Sequence, residues 1–248
     1  MTLLLDGAVG TELARRGFVL APPSFSAAAI DDAPELLAAI HRDYVDAGAD
    51  VLTTATTCVH RWYVGERSDE LVVRAVATAR AAIGERSVQL AGALAMLPRE
   101  VPDRAEQYVA TARALADAGV DILLCESFTS VDELALAARA CEGLGITRWG
   151  AIVPTDDGTP LGGGAIEDAL ALGFDTLAVH CCSLAATEAA LTKLRNAAHD
   201  AALGAYPALA PADADRFAQT LTLLASRFTL ACIGACCGST PATIATLR

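Results

Sequence analysis

Cysteines at two points of the chain carry the first chemical signal. Cys181 and Cys182 lie in Ala178-Val-His-Cys-Cys182, and the pair Cys236-Cys237 lies in Gly234-Ala-Cys-Cys-Gly238. Adjacent side chains of an extended strand point in opposite directions, but glycines on both sides of the pair permit a turn in which the sulfurs converge. A third thiolate from the earlier segment would complete a three-sulfur site. Sulfur-rich ligation favours zinc, and three protein ligands leave a fourth position for substrate, the arrangement of a catalytic zinc. Two other readings of the same residues are thiols that simply pack and a thiol redox pair. The redox pair ranks last, because neighbouring cysteines make strained disulfides and the spacing is not Cys-x-x-Cys.

Other polar residues end apolar runs. Asp6 closes Leu3-Leu-Leu and is followed by Gly7 and Ala8; Glu126 closes Asp121-Ile-Leu-Leu-Cys125. A carboxylate in such surroundings is costly unless something pairs with it. His180, just before Cys181, reads as a polar neighbour of the site, with metal ligation as its other option. Thr54 ends a further apolar run, and Trp62 and Tyr63 follow it; aromatic faces attract sulfonium and quaternary ammonium groups.

The elements that must position these residues form a repeat. Asp46-Ala-Gly48-Ala-Asp50-Val-Leu52 is echoed by Asp117-Ala-Gly119-Val-Asp121-Ile-Leu123 and, more loosely, by Ala171-Leu-Gly173-Phe-Asp175-Thr-Leu177. Each joins an amphipathic segment to an apolar one through a glycine suited to a left-handed helix end; Gly84 and Gly145 are placed similarly. Strands are expected at Leu3–Asp6, Asp50–Thr54, Val88–Leu94, Asp121–Cys125, Arg148–Val153, Asp175–His180, Ala202–Tyr206 and Leu230–Ile233. Eight helical segments alternate with them, near 34–47, 69–83, 104–118, 165–172, 184–197, 213–226 and 241–247, with one opened by Ser130-x-x-Glu133. Asp103 is expected to cap the third of these, whose inner face is Ala105, Tyr108, Val109, Ala112 and Leu115. Strands apolar along their length suit a parallel sheet covered on both faces. The alternation predicts an α/β fold, a single-domain (β/α)8 TIM barrel over residues 1–248, with an open doubly wound sheet as runner-up. In a barrel the cysteines, Asp6, Thr54 and Glu126 all fall at the C-terminal rim.

Composition narrows the partners. The 248 residues carry 18 Lys and Arg against 30 Asp and Glu, a net charge of −12, which argues against nucleic-acid and anionic-membrane binding. No apolar run is long enough to span a bilayer, and the start Met1-Thr-Leu-Leu-Leu-Asp6 does not read as a signal peptide. The eight cysteines are therefore expected to be reduced, in a cytoplasmic protein that acts on small molecules. Cys58, Cys125, Cys141 and Cys232 are expected to pack. Oligomeric state is left open.

Four motifs in order resemble one family. Leu5-Asp-Gly-Ala-Val-Gly-Thr-Glu-Leu13, Asp121-Ile-Leu-Leu-Cys-Glu-Ser127, Ala178-Val-His-Cys-Cys182 and Gly234-Ala-Cys-Cys-Gly238 are similar to the strand-end motifs of homocysteine S-methyltransferases. The resemblance implies a zinc-dependent barrel that moves a methyl group from a cationic donor to the thiol of homocysteine, giving methionine. It implies that Cys181, Cys236 and Cys237 are the zinc ligands, with Cys182, one place beyond the matching position, a close neighbour. It implies that Asp6 and Glu126 hold the amino group of the acceptor, with backbone amides around Gly7 and Ala8 helping. His180 stands where the family usually has Asn. Gly92-Ala-Leu-Ala-Met-Leu-Pro98 and Tyr206-Pro207-Ala208 depart from the family pattern, on the donor side. S-methylmethionine and S-adenosylmethionine are the favoured donors; a non-catalytic zinc- or thiol-binding barrel is the alternative.

Overall fold

Apolar runs too short for helices become strands, and those from the second to the sixth each follow a glycine with positive φ. The computed structural model describes residues 2–213 and 216–248. Its strands are β1 (Leu3–Leu4), β2 (Val51–Thr53), β3 (Gln89–Ala95), β4 (Ile122–Phe128), β5 (Thr147–Ile152), β6 (Thr176–His180), β7 (Leu203–Tyr206) and β8 (Cys232–Ile233). All pair in parallel in the order β1-β8-β7-β6-β5-β4-β3-β2. The two ends of that order meet through the Leu5–Val51 bridge, so the sheet curls into a (β/α)8 barrel. The runner-up open sheet is thereby set aside.

Side chains divide between two apolar layers. Leu5, Val51, Leu124, Trp149, Ala178 and Cys232 fill the barrel interior. The outer strand faces meet the helices in a larger cluster that includes Leu52, Leu90, Leu123 and Val179. Helix α1 (Val9–Arg15) follows β1, a short α2 (Ala29–Asp32) comes next, and α3 (Pro34–Asp46) leads to β2. Helices α4 (Arg61–Val64) and α5 (Ser68–Ile83) lead to β3, α6 (Arg104–Asp117) to β4, and α7 (Val131–Ala140) to β5. A 3-10 segment, Ile166–Leu172, replaces the helix expected before β6. Then come α8 (Leu184–Ala197), α9 (Phe217–Phe228) and α10 (Pro241–Ala245). Part of the start expected for α9, at Ala214 and Asp215, lies outside the described residues.

The recurring aspartates have a shared structural task. Asp50 Oδ2 accepts the Leu4 N–H at 2.9 Å while the Asp50 N–H donates to the Leu4 carbonyl at 2.7 Å. Asp121 does the same to Leu90, at 2.7 and 2.9 Å, and Asp175 to Arg148, at 2.7 and 2.8 Å. Each aspartate thus fastens its own strand to the one before it in sequence, β2 to β1, β4 to β3 and β6 to β5. At the fourth pair Ala231 donates to Leu203 at 2.7 Å but has no carboxylate to receive a bond in return. The glycines before these strands behave as expected, with φ of 98° at Gly48, 86° at Gly119 and 71° at Gly173.

Some local expectations change. The inner face of α6 is narrower than expected: Tyr108, Ala112 and Leu115 are buried, but Val109 is 41% exposed. Tyr108 fills the space, and its neighbour is rotated about 100° away toward solvent. Asp103 binds the Gln107 side chain at 2.9 Å instead of a backbone amide. Ser130 caps α7 by accepting from the Glu133 N–H, but Glu133 does not return the bond; its carboxylate accepts from Arg104 and Tyr108. The reciprocal box is at Thr240 and Thr243 in α10.

Candidate active site

The three thiols are gathered by two turns. Cys181 follows β6 with φ of 51°, a left-handed conformation that a residue with a Cβ resists. Its N–H donates to the Tyr206 carbonyl at 3.2 Å, which holds the turn against β7. The loop after β8 is fixed by the Cys236 N–H donating to Pro207 and the Leu209 N–H donating to Cys237, both at 2.8 Å. Gly238, at φ 84°, passes so near this loop that a Cβ would lie 2.4 Å from the Leu209 carbonyl oxygen. The Cys181 and Cys237 sulfurs are 3.6 Å apart, those of Cys236 and Cys237 are 3.9 Å apart, and all three lie within 4.8 Å of one another.

That donor set fits a soft divalent metal. Tetrahedral ligation with zinc–sulfur bonds of about 2.3 Å separates sulfurs by about 3.8 Å, close to the spacing here. The cluster is also short of positive charge. The contacts with Cys181 and Cys236 lower the Cys237 pKa to about 3. Cys236 is correspondingly raised by its contacts with Cys181 and Cys237. Cys181 is drawn down by Cys236 but pushed further up by Cys237 and by burial, to about 11. Cys182 turns away, its sulfur 3.3 Å from the Thr187 hydroxyl.

The carboxyls face the same space. A cavity of about 300 Å³ is lined by Asp6, Gly7, Ala8, Thr53, Thr54, Glu126, His180, Tyr206 and all three thiols. Asp6 is 2% exposed. Burial pushes its pKa to about 8 despite two bonds from Thr53, and the Glu126 charge adds to the rise. Glu126 rises to about 7, through burial and then the Cys237 charge. A cationic group between them would relieve both, and no Lys or Arg lines the cavity among the described residues.

Sequence reasoning passed over Thr53 and Tyr206. Thr53 binds both oxygens of Asp6. Tyr206 has a buried hydroxyl beside Glu126 that makes no hydrogen bond of normal geometry. Its presence in a departing motif drew attention to Pro207 and Ala208 instead. His180 is neutral, held down to about 4 by burial, and its ring tilts against Tyr206 with centroids 4.7 Å apart.

Other expected residues stand differently. The Ala8 N–H donates to Ser239 Oγ at 3.1 Å, so it is already engaged within the protein. Gly7 has no room for a side chain, since a Cβ would sit 2.6 Å from Ser239 Oγ. Thr54 lines the cavity, but its hydroxyl is bonded to Thr56 and to the Ala93 N–H. Trp62 and Tyr63 are not in the lining; they sit on α4, where Trp62 is 50% exposed.

The family model for homocysteine S-methyltransferase matches residues 3–248. The chain belongs to the homocysteine S-methyltransferase family. It resembles the metallated form of the homocysteine methyltransferase MmuM from Escherichia coli, with a TM-score of 0.85 and 28% identity over 99% of this chain and 95% of that one. Curated members match over a shorter stretch. The Escherichia coli K12 homocysteine S-methyltransferase is 48% identical over 54 residues, 22% of this chain and 17% of that protein. A selenocysteine Se-methyltransferase from Brassica oleracea var. italica is 40% identical over 53 residues, 21% of this chain and 15% of its own length. These alignments thus cover less than a fifth of the curated relatives, whereas the family model and the fold extend over almost the whole chain. Among the described residues no helix is long and apolar enough to cross a membrane.

Proposed function

We propose that this protein is a zinc-dependent methyltransferase that moves a methyl group from a small sulfonium donor to the thiol of homocysteine, giving methionine. One observation carries the reading: three convergent thiols, the buried Asp6 carboxyl and the partly buried Glu126 carboxyl open into one cavity. Cys181, Cys236 and Cys237 would hold the metal. A zinc ion there supplies a Lewis acid that lowers the pKa of a thiol and keeps it as the nucleophilic thiolate.

Asp6 and Glu126, once deprotonated, hold the acceptor's ammonium, and Thr53 fixes the orientation of Asp6. The acceptor sulfur gives up its proton to solvent and attacks the donor methyl carbon in line. The bond from that carbon to the sulfonium sulfur breaks, and the donor leaves as a neutral thioether. The acidic, cation-free lining suits a positively charged donor. A volume of about 300 Å³ is at the small end of ligand pockets, and among the described residues the one aromatic ring in the lining other than His180, Tyr206, packs on His180 and offers no free face to an adenine. S-methylmethionine is therefore preferred to S-adenosylmethionine. Thiols of this kind must stay reduced, which suits a cytoplasmic setting.

The test is metal analysis, then zinc-loaded protein with homocysteine and a donor panel of S-methylmethionine, S-adenosylmethionine and betaine, with methionine as readout. Methionine from S-methylmethionine is expected. Bound zinc with no turnover on any donor would favour the non-catalytic barrel.

A further inference from the structure

The strand that carries Glu126 is irregular where the carboxyl matters. Cys125 on β4 pairs with Gly150 on β5, and pairing resumes at Phe128 with Ile152. Glu126 and Ser127 therefore stand opposite one residue, Ala151. This is a β-bulge, which bends a strand and re-aims a side chain. Ser127 takes φ of 65°, left-handed for a residue with a Cβ. The bulge takes the Ser127 N–H off the ladder, and an acceptor must come from elsewhere.

It comes from two strands away. His180 Nε2, on β6, accepts the Ser127 N–H at 2.7 Å, reaching past β5. His180 is 1% exposed and its ring rests on Tyr206, so it has little freedom to move. Because Nε2 accepts, the ring hydrogen lies on Nδ1, which is buried with no partner. The ring thus leaves one of its own polar atoms unsatisfied while it satisfies Ser127.

We propose that His180 is a positioning residue for substrate recognition: by accepting the Ser127 N–H it holds the β4 bulge that aims Glu126 at the amino group of the thiol acceptor. This rests on the reading of Glu126 given above. What the position requires is a hydrogen-bond acceptor within a fixed ring-sized space, not a titrating group. Asn and Gln offer such an acceptor through their amide oxygens; Leu and Phe do not.

The experiment compares two thiols on zinc-loaded protein by calorimetric binding, with metal content measured for every variant. Homocysteine carries the amino group; 4-mercaptobutanoate is the same thiol acid without it. Wild-type protein is expected to prefer homocysteine. His180→Leu should lose that preference, binding homocysteine about one to two orders of magnitude more weakly while 4-mercaptobutanoate and zinc content are unchanged. His180→Asn or His180→Gln should recover part of the preference. His180→Phe keeps a ring against Tyr206 without an acceptor; it should behave like His180→Leu, and it carries the test if the leucine variant fails to fold. A preference that survives in the Leu or Phe variant, or an equal loss for both thiols, overturns the proposal alone. Wild-type protein that binds the two thiols equally overturns the amino-group role of Glu126, and the proposal with it.

Discussion

Asp6 commits both carboxylate oxygens to one residue: Oδ2 accepts the Thr53 N–H at 2.9 Å and Oδ1 accepts the Thr53 hydroxyl at 2.7 Å. Two bonds from one neighbour fix the plane of the carboxyl, yet burial still raises its pKa from 3.8 to about 8. An acid whose folded pKa is raised is stabilising when protonated. That contribution is complete below the unfolded value and is lost as pH rises toward the folded one. Ligand-free protein should therefore lose stability between about pH 4 and pH 8, by roughly a few kcal/mol at most. Urea denaturation across this range checks it, and Asp6→Asn should flatten the slope. Binding an ammonium reverses the preference, so homocysteine binding near neutral pH should release protons, measurable by calorimetry in buffers of different ionisation enthalpy.

The thiol cluster predicts a change in reactivity on metal removal. About one zinc per chain is expected, and it should be lost in Cys236→Ala and Cys237→Ala. Chelation should expose Cys181, Cys236 and Cys237 to alkylation, while the buried Cys125, Cys141, Cys182 and Cys232 stay protected in the folded protein. Mass spectrometry of labelled peptides identifies the sites. Labelling that chelation leaves unchanged would argue against metal at this cluster.

Gly238 is where the metal loop meets its support. A Cβ there would clash with the Leu209 carbonyl, in a backbone conformation that already disfavours side chains. Gly238→Ala should cost about 1–3 kcal/mol. Because the displaced segment carries Cys236 and Cys237, zinc affinity should fall with stability. A competition titration against a chromogenic chelator measures the first, and thermal unfolding of metal-free protein the second.

Asp121 predicts the opposite pattern. Its carboxylate accepts from the Leu90 N–H at 2.7 Å and from Arg80 at 3.0 Å, at the end of the barrel away from the cavity. Asp121→Ala should cost about 1–3 kcal/mol in chemical denaturation, with zinc content unchanged.

Much of this was legible because barrel chemistry sits at strand ends, and strand ends can be read from apolar runs. Glycines around Cys236 and Cys237 and a strand boundary before Cys181 mark where sulfurs can turn inward, and the family resemblance chooses Cys181 over Cys182. The repeat Asp50, Asp121 and Asp175 was visible as a pattern, but not its purpose, because reciprocal bonding to the preceding strand is a relation across some thirty to fifty residues. Tyr206 was hidden for a similar reason: its neighbour Glu126 lies on a strand three places away in the sheet. Where Trp62 and Tyr63 would sit could not be read from the sequence either: the short helix α4 carries them, and neither lines the cavity. The bulge at Glu126 and Ser127 has no sequence mark, since Ser127 lacks the glycine that commonly signals a positive φ.

The three aspartate fasteners have a consequence for how such a protein can change over evolutionary time. They lie where the strands begin, and the cavity lies where the strands end, so durability and reactivity occupy opposite mouths of the ring. Loops around the cavity can be shortened, lengthened or rebuilt for a new donor without undoing what keeps the ring shut. The quarter that lacks a fastener, β7 with β8, leads into Cys236 and Cys237. A metal gripped there, together with Cys181 beyond β6, would stitch from above the seam that no aspartate closes from below.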